Sequence, residues 1–551
     1  MDFLVVSPPI CPPSEPPSGA FTLAAGLCGH GYEAGLLDLS AQFFASTLEQ
    51  EPSAPKSPES SRKTKDKEAT KPQTDSPVST AIRYLKESTD GFDPMSHRSA
   101  LGVLHNYLKG LSQVHPGWRF TLMDITPPCR IHDIRGLEAH LSKNPHPFQE
   151  LFEGPLMNTI DRHRPRRVLI SLAYLSQLPA TIAMVMFLKK HAIESIIGGS
   201  LPNSLKLTGQ GLDLLTQVLP NIETGDGMSL VSAGKIMRPI GESPYKNDKI
   251  NTNSDKGRLV DRLTWPRLVN REDYLSPKPI IPLPLSIGCW WRRCLFCPDG
   301  QMGFHAIPIR TLEEFVDSIP ETWKSSGPVF HLIDSALPPK SLDAFLPLAR
   351  KLNAGFYGFA RPTFELLEND LIARAGQSGC LMLQLGVESG SHDLLDLYRK
   401  GINPEVSSRV LRSAAEAGIR TYVYLLMGLP GERDSHRHAT LDMMVNHRED
   451  VDFLNLSLFN LPRSGSLVKD QKKHDIEIEE FTGRDRGLRL YYPFTVNGKS
   501  PRKEAREFIK SVFLKNHIIH AANLRTPRWL RAAHLALMKL PHRHSPWSSK
   551  D

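Results

Sequence analysis

No apolar run in this 551-residue chain reaches the ~20 residues needed to cross a bilayer, which excludes a protein anchored by a membrane helix. The opening Met1-Asp2-Phe3-Leu4-Val5-Val6-Ser7-Pro8-Pro9 has no basic stretch ahead of its apolar residues. A secretory leader is therefore not expected there, and a first buried strand is. Cysteine is scarce and odd in number, seven in all, which argues against a disulfide scaffold and for a reducing compartment. The cytoplasm is the expected location. No internal repeat stands out. The net charge of +8 is unevenly placed: residues 499–551 carry 12 Lys/Arg against 3 Asp/Glu, so the rest is close to neutral. No nucleic-acid motif accompanies that charge, and a basic helical segment packed on the body is the expected form.

What the chain does have is a knot of thiols. Three of its cysteines lie in the ten residues Gly288-Cys289-Trp290-Trp291-Arg292-Arg293-Cys294-Leu295-Phe296-Cys297. Clustered thiolates bind soft metal. Three of them leave one iron of a four-iron cluster without a protein ligand, and an iron with an open site can do chemistry. A structural zinc site wants four ligands. Cys380 opens a candidate strand and is a poor fourth. A zinc knuckle remains an alternative at this point.

Around the knot the chain reads as α/β. Residues 2–9 form a strand, a Pro-rich loop follows, Phe21 to Cys28 form a helix, and Glu33 to Leu39 form a second strand. That order predicts a parallel sheet. From Gln50 to Ser79, within an insertion of about 46–80, the residues are Pro, Ser, Lys, Glu and Thr, too polar to bury themselves. The sheet is expected to resume at Phe120–Ile125 and at Arg167–Ala173, with a helix over Ala180–His191 and a last strand at Ser195–Ser200. Residues 241–278 are polar and read as a linker. Six further strands are expected at Pro282–Ile287, Val329–Ile333, Gly355–Ala360, Leu381–Val387, Arg420–Met427 and Asp452–Phe459, with helices such as Leu342–Leu352 and Pro404–Ala417 between them. Six β/α units suggest an incomplete barrel. Functional residues should sit at the carboxyl ends of its strands, and the cysteine loop follows the first one directly.

These features resemble the radical S-adenosylmethionine (radical SAM) enzymes, in the subclass with an N-terminal cobalamin-binding domain. The resemblance implies an α/β fold: an N-terminal Rossmann-like open parallel sheet (1–240), a radical SAM partial (β/α)6 barrel (279–465) and a basic, helical C-terminal extension (466–551). It implies that Cys289, Cys294 and Cys297 hold a [4Fe–4S] cluster whose fourth iron binds SAM. The family spacing is three residues then two; here it is four then two, one residue longer. Phe296 matches the aromatic before the last cysteine. By the same resemblance, Asp334 is the candidate for the SAM amino group. Glu388, in Gly386-Val387-Glu388-Ser389-Gly390, is the candidate for the ribose. Arg399 or Lys400 is the candidate for the carboxylate, and Gly428 borders the adenine.

The N-terminal segment also resembles the cobalamin-binding opening. Ser7, Pro8 and Pro9, then Ser171 to Gln177, then the Gly198-Gly199-Ser200 turn match its loops. The sequence Asp161-Arg162-His163-Arg164-Pro165 looks like part of a cobalt-ligating motif but lacks its glycine and precedes the wrong strand, so it reads as a decoy. The expected reaction is SAM cleavage to a 5′-deoxyadenosyl radical with cobalamin-dependent methyl transfer to an unreactive carbon. Alternatives are rearrangement or cyclisation without cobalamin, and a non-enzymatic zinc module. Expected partners are a small-molecule or peptide substrate and an electron donor such as flavodoxin or ferredoxin, with no membrane or nucleic acid. Tyr357, Arg361 and Asn460 stand at or near strand ends where a substrate pocket would lie.

Overall fold

The computed structural model describes residues 1–49, 76–209, 211–225, 227, 258–301, 303–479, 488–527 and 531–540. Most of the polar insertion and part of the expected linker lie outside them. Two parallel sheets organise the molecule.

The first sheet holds β1 (Phe3–Ser7), β2 (Ala34–Asp38), β3 (Arg167–Ser171) and β4 (Ser195–Gly198), in the spatial order β2-β1-β3-β4. Every pairing is parallel. All five residues of β1 are buried, as expected of a central parallel strand covered on both faces. The chain runs from β1 outward to β2 and later returns to β3 on the other side. The gap between β1 and β3 is thus the topological switch point, where such sheets hold ligands beyond their strand ends.

The sheet was expected to resume at Phe120–Ile125, and it does not. Arg119–Phe120 and Ile125–Thr126 form a separate antiparallel hairpin. Its turn is closed by the Thr121 N–H donating to the Asp124 carbonyl at 2.9 Å. Two-residue strands beside a turn pair with each other before they can reach a distant edge. Two helices precede this hairpin, Pro77–Glu87 and Pro94–Gly110, each opening on proline behind a side-chain cap from Ser76 or Asp93. The insertion was expected to extend to about 46 and 80; residues 46–49 belong instead to the helix Leu39–Glu49, and 77–80 to the helix Pro77–Glu87.

The second sheet holds β5 (Ile280–Leu283), β6 (Val329–Leu332), β7 (Gly355–Ala360), β8 (Cys380–Glu388), β9 (Arg420–Met427) and β10 (Phe453–Leu458). They run in sequence order from edge to edge, all parallel, which is the expected six-stranded partial barrel. One face packs on the helices. Phe330 and Phe356 meet Phe345 edge-on at 5.8 and 5.5 Å, and burying each such ring contributes roughly 2–3 kcal/mol. The helix Pro404–Glu416 shows how these connections start: the Asn403 side chain accepts from the Val406 N–H at 2.7 Å, and Pro404 sits in the first turn.

Between the sheets, residues 258–276 are well packed although the polar stretch containing them reads as a linker. Leu259, Val260, Leu263, Tyr274 and Leu275 are buried, and Arg267 bridges to Gly35 of β2. The Pro-rich loop after β1 turns toward the barrel. The Leu275 N–H donates to the Pro13 carbonyl at 2.7 Å, and Pro8, Pro9, Ile10, Cys11, Pro13, Ser14 and Pro16 are all buried.

Beyond β10 the chain adds two short antiparallel pairs, Leu461–Pro462 with Tyr491–Tyr492 and Ile476–Ile478 with Phe494–Val496. The helices Pro501–Ser511, His517–Arg525 and Arg531–Ala536 follow. The extension is therefore helical with a β component. Among the described residues, no helix is long and apolar enough to cross a membrane.

Candidate active site

The cysteine loop leaves the carboxyl end of β5 and is braced from three sides. Gly288 turns it with φ +78°, and a Cβ there would lie 1.9 Å from the Gly303 carbonyl oxygen, so only glycine fits. The Leu295 N–H donates to the Tyr398 carbonyl at 3.1 Å. The Trp291 indole N–H donates to the Arg399 carbonyl at 2.9 Å, and its ring packs against Gly401, where a Cβ would stand 1.8 Å from it. The segment 398–401 is therefore a cradle for the loop.

Cys289, Cys294 and Cys297 are all partly buried and unpaired. The Cys297 N–H donates to the Cys294 carbonyl at 3.3 Å, closing the turn between them. Burial pushes the Cys297 thiol up to about 12, and the charges of Asp299, Cys294 and Cys289 add to that. A thiolate there needs metal to hold it ionised. Among the described residues, no group of three or more His, Cys, Asp or Glu is arranged for a single ion. Cys380 begins β8 at the opposite end of the sheet and is buried, so it cannot join the loop as a fourth ligand.

Above the loop, Glu388 ends β8 with φ +63° and accepts from Lys400 Nζ at 2.8 Å. Lys400 is only 4% exposed and also lies 5.6 Å from the Phe296 ring. Glu388 and Lys400, two expected site residues, are thus brought together next to the cysteines. Asp334 is placed differently. It is buried below the loop, accepting from the Leu285 N–H at 2.9 Å and the Ser286 hydroxyl at 2.5 Å. In this arrangement both of its oxygens hold the segment leading into the cysteines. Gly428 directly follows β9 with φ +85°, and its N–H donates to Glu432 Oε2 at 2.6 Å. Asn460 is held by Arg502 from the C-terminal extension.

Arg361, named from the sequence by position alone, is at the centre of the site. It is 3% exposed. Its Nη1 lies 3.6 Å from Cys294 Sγ, and its Nη2 donates to the Lys400 carbonyl. Trp290 and Trp291 face its guanidinium at 5.6 and 4.6 Å.

The N-terminal domain also reaches this chamber. Glu15, from the Pro-rich loop, accepts from the Tyr357 hydroxyl at 3.1 Å and meets His331 Nδ1 at 3.0 Å. His331 and Tyr357 stack at 4.5 Å inside the barrel. Higher up, the Gln384 amide donates to the Tyr424 hydroxyl at 3.0 Å. Sequence reasoning missed Glu15 and His331. The one available signal was a single carboxylate set among prolines, Pro12-Pro13-Ser14-Glu15-Pro16-Pro17.

At the switch point of the first sheet, Ser7 is buried and Pro8 offers its carbonyl to Gln177 Nε2 at 2.7 Å. Gln177 Oε1 in turn accepts from the Ala173 and Tyr174 N–H groups at 2.9 and 3.1 Å. Pro9 is buried beside Pro8. Ser171 ends β3, and the Gly198 carbonyl accepts from Leu172 just before Gly199 turns away. The expected loop residues therefore do gather at one sheet end. His163 does not join them. It ends the helix Met157–His163 ahead of β3, where its carbonyl accepts from the Met1 amino group at the opposite end of the strands.

With this geometry in view, residues 283–444 match the radical SAM superfamily model. They are a radical SAM domain. None of the curated proteins compared matches the chain. The whole architecture is shared with solved structures at low identity. One is the cobalamin-dependent S-adenosylmethionine radical enzyme OxsB with aqua-cobalamin and S-adenosylmethionine bound: 12% identity, 93% of this chain and 67% of that one, TM-score 0.53. Another is the radical S-adenosylmethionine methyltransferase TsrM from Kitasatospora setae, with tryptophan substrate and a SAM analogue: 12% identity, 94% and 88%, TM-score 0.54. The fold of this chain is that of the cobalamin-dependent radical SAM enzymes.

Proposed function

We propose that this radical SAM enzyme transfers a methyl group from cobalamin to an unreactive carbon of a small-molecule or peptide substrate. A single observation carries the reading. Glu15 of the N-terminal domain closes on His331 and Tyr357 inside the barrel, so the switch-point loop and the cysteine loop serve one chamber. A [4Fe–4S] cluster and SAM at the cysteine loop would supply the 5′-deoxyadenosyl radical, and cobalamin at the switch point the methyl group.

The residues fit those groups. Cys289, Cys294 and Cys297 would hold three irons of the cluster, with the Arg361 cation already beside one thiol. Glu388 would meet the ribose hydroxyls and Lys400 or Arg399 the carboxylate. Asp334 would act on the SAM amino group only by releasing Leu285 or Ser286. Trp290, Trp291 and Phe296 flank the three thiols and are half-buried. On the other side, Ser7, Pro8, Pro9, Ser171, Gln177, Gly198 and Gly199 would border the corrin. The described loops at that sheet end, residues 8–17, 172–177 and 199–200, contain no histidine, so cobalt would have no imidazole from them.

A reading without cobalamin, as a rearrangement or cyclisation enzyme, also has an observation behind it. The Gln177 amide spans the switch point to Pro8 and is fully committed there. Anaerobic purification separates the readings. Iron and sulfide with corrinoid absorbance after loading, and deoxyadenosine from SAM plus reductant, are expected. Cys294→Ala should abolish the deoxyadenosine. Absence of corrinoid bands sinks methyl transfer, and zinc without iron and sulfide sinks radical chemistry altogether. A flavodoxin or ferredoxin is the proposed electron donor, and the cytoplasm the proposed location.

A further inference from the structure

On the reading that the cysteine loop holds a four-iron cluster, we infer that Arg361 tunes that cluster: its guanidinium, buried against Cys294, stabilises the one-electron-reduced form. A flavodoxin- or ferredoxin-class donor can then load the electron at a less negative potential.

The geometry of the guanidinium is unusual for a structural arginine. A buried arginine is normally paired with a carboxylate, because an uncompensated buried charge is costly. Arg361 is 3% exposed, yet the side chain its Nη1 meets is a thiol, Cys294 Sγ at 3.6 Å. The Glu388 carboxylate, whose charge also acts on Arg361, is hydrogen-bonded to Lys400 at 2.8 Å. Nη2 is spent on the Lys400 carbonyl, while Nε is buried without a hydrogen-bond partner. The side chain thus keeps donor capacity in reserve beside the thiols. The sulfurs of a bound cluster are acceptors of the right kind for it.

The setting magnifies the effect. Trp290 and Trp291 present their faces to the cation at 5.6 and 4.6 Å, which is itself attractive and keeps water away. With water excluded, the interaction of a fixed cation with an added electron is weakly screened. Hydrogen bonds and net charge near the cluster sulfurs are established determinants of its potential. Burial lowers the affinity of Arg361 for its proton, while the neighbouring Cys294, Cys289 and Glu388 act the other way. An arginine remains charged under such opposing influences. Reduction adds one negative charge to the cluster, so a cation at this place favours the reduced state. No proton need move.

The test uses the full chain, reconstituted anaerobically, as wild type, Arg361→Gln and Arg361→Lys. Iron and sulfide are counted first. The fraction of reduced cluster is then read by electron paramagnetic resonance at the solution potential where the wild type is half reduced. Arg361→Gln should lower the reduced-to-oxidised ratio at least tenfold, about 59 mV for a one-electron couple. Arg361→Lys keeps the charge but not the fork geometry, and should lower it by about threefold. A ratio within twofold of wild type in Arg361→Gln overturns the inference. If that variant does not retain its iron, Arg361→Lys decides: a clear fall supports the inference and an unchanged ratio overturns it. Weakened SAM binding at an unchanged ratio also overturns it and assigns Arg361 to SAM. A wild type without iron and sulfide fails earlier, at the cluster reading itself, which keeps the two failures apart.

Discussion

Replacing Gly401 by alanine should loosen the cysteine loop from its cradle. Two costs act together there. The residue has φ +67°, a region where a side chain costs about 1–2 kcal/mol. Its new Cβ would stand 1.8 Å from Trp291 Cζ2 and 2.3 Å from Cη2, an intrusion worth about 1–3 kcal/mol once neighbours shift. The indole cannot yield freely, because its N–H is held by the Arg399 carbonyl and the Arg361 guanidinium lies over its ring. The total is about 2–5 kcal/mol. Gly327 supplies the control: φ +63° with nothing within 4 Å of its would-be Cβ, hence strain alone. At about 2–4 °C per kcal/mol for a domain of the barrel's size, Gly401→Ala should melt about 2–12 °C below Gly327→Ala. It should also lose more iron on anaerobic desalting, since Trp291 is two residues from Cys289 and three from Cys294. Equal melting temperatures and equal iron in the two variants would refute the idea that this contact positions the loop.

Three further outcomes are expected. Glu388→Gln leaves the Lys400 ammonium buried without its carboxylate and should cost about 3–5 kcal/mol in the SAM-free protein; adding Lys400→Met should recover most of it, and a loss under ~1 kcal/mol in the single variant contradicts the pairing. Glu15→Ala strands the Tyr357 hydroxyl and His331, at about 1–3 kcal/mol per group, and should speed amide exchange at Ile10, Cys11 and Ser14; unchanged exchange means that Glu15 does not clasp the loop to the barrel. Burial holds the Asp334 carboxyl up at about 6, above its ordinary 3.8. The fold then binds this proton more tightly than the unfolded chain does, so its contribution is complete below about pH 4 and lost as pH rises through about 6, ~3 kcal/mol in all. Asp334→Asn cannot ionise, and its stability relative to wild type should rise by that amount between pH 4 and 7; parallel pH profiles would contradict the assignment.

Much of the fold was legible because parallel strands buried on both faces read as short apolar runs. Val329–Leu332, Gly355–Ala360 and Arg420–Met427 emerged within a residue of their observed limits. The three cysteines were legible because their spacing is local. The hairpin at Arg119–Thr126 was misjudged, since a two-residue strand carries no mark of which edge it will join. The packed course of residues 258–276 was hidden for a related reason. Its apolar residues are scattered among charges and follow neither strand nor helix periodicity.

The order of the strands, the thiol loop and the class of chemistry were therefore written in one dimension, in local spacing and local periodicity. Which groups face one another was not. Glu15 is 316 residues from His331, and Arg361 is 67 from Cys294. Asp334, expected at the cofactor, is turned to brace Leu285 and Ser286. Such contacts depend on the assembly of the six-stranded sheet and on how the Pro-rich loop approaches it. No local pattern in the chain encodes them, because their energy exists only once distant segments have been brought together.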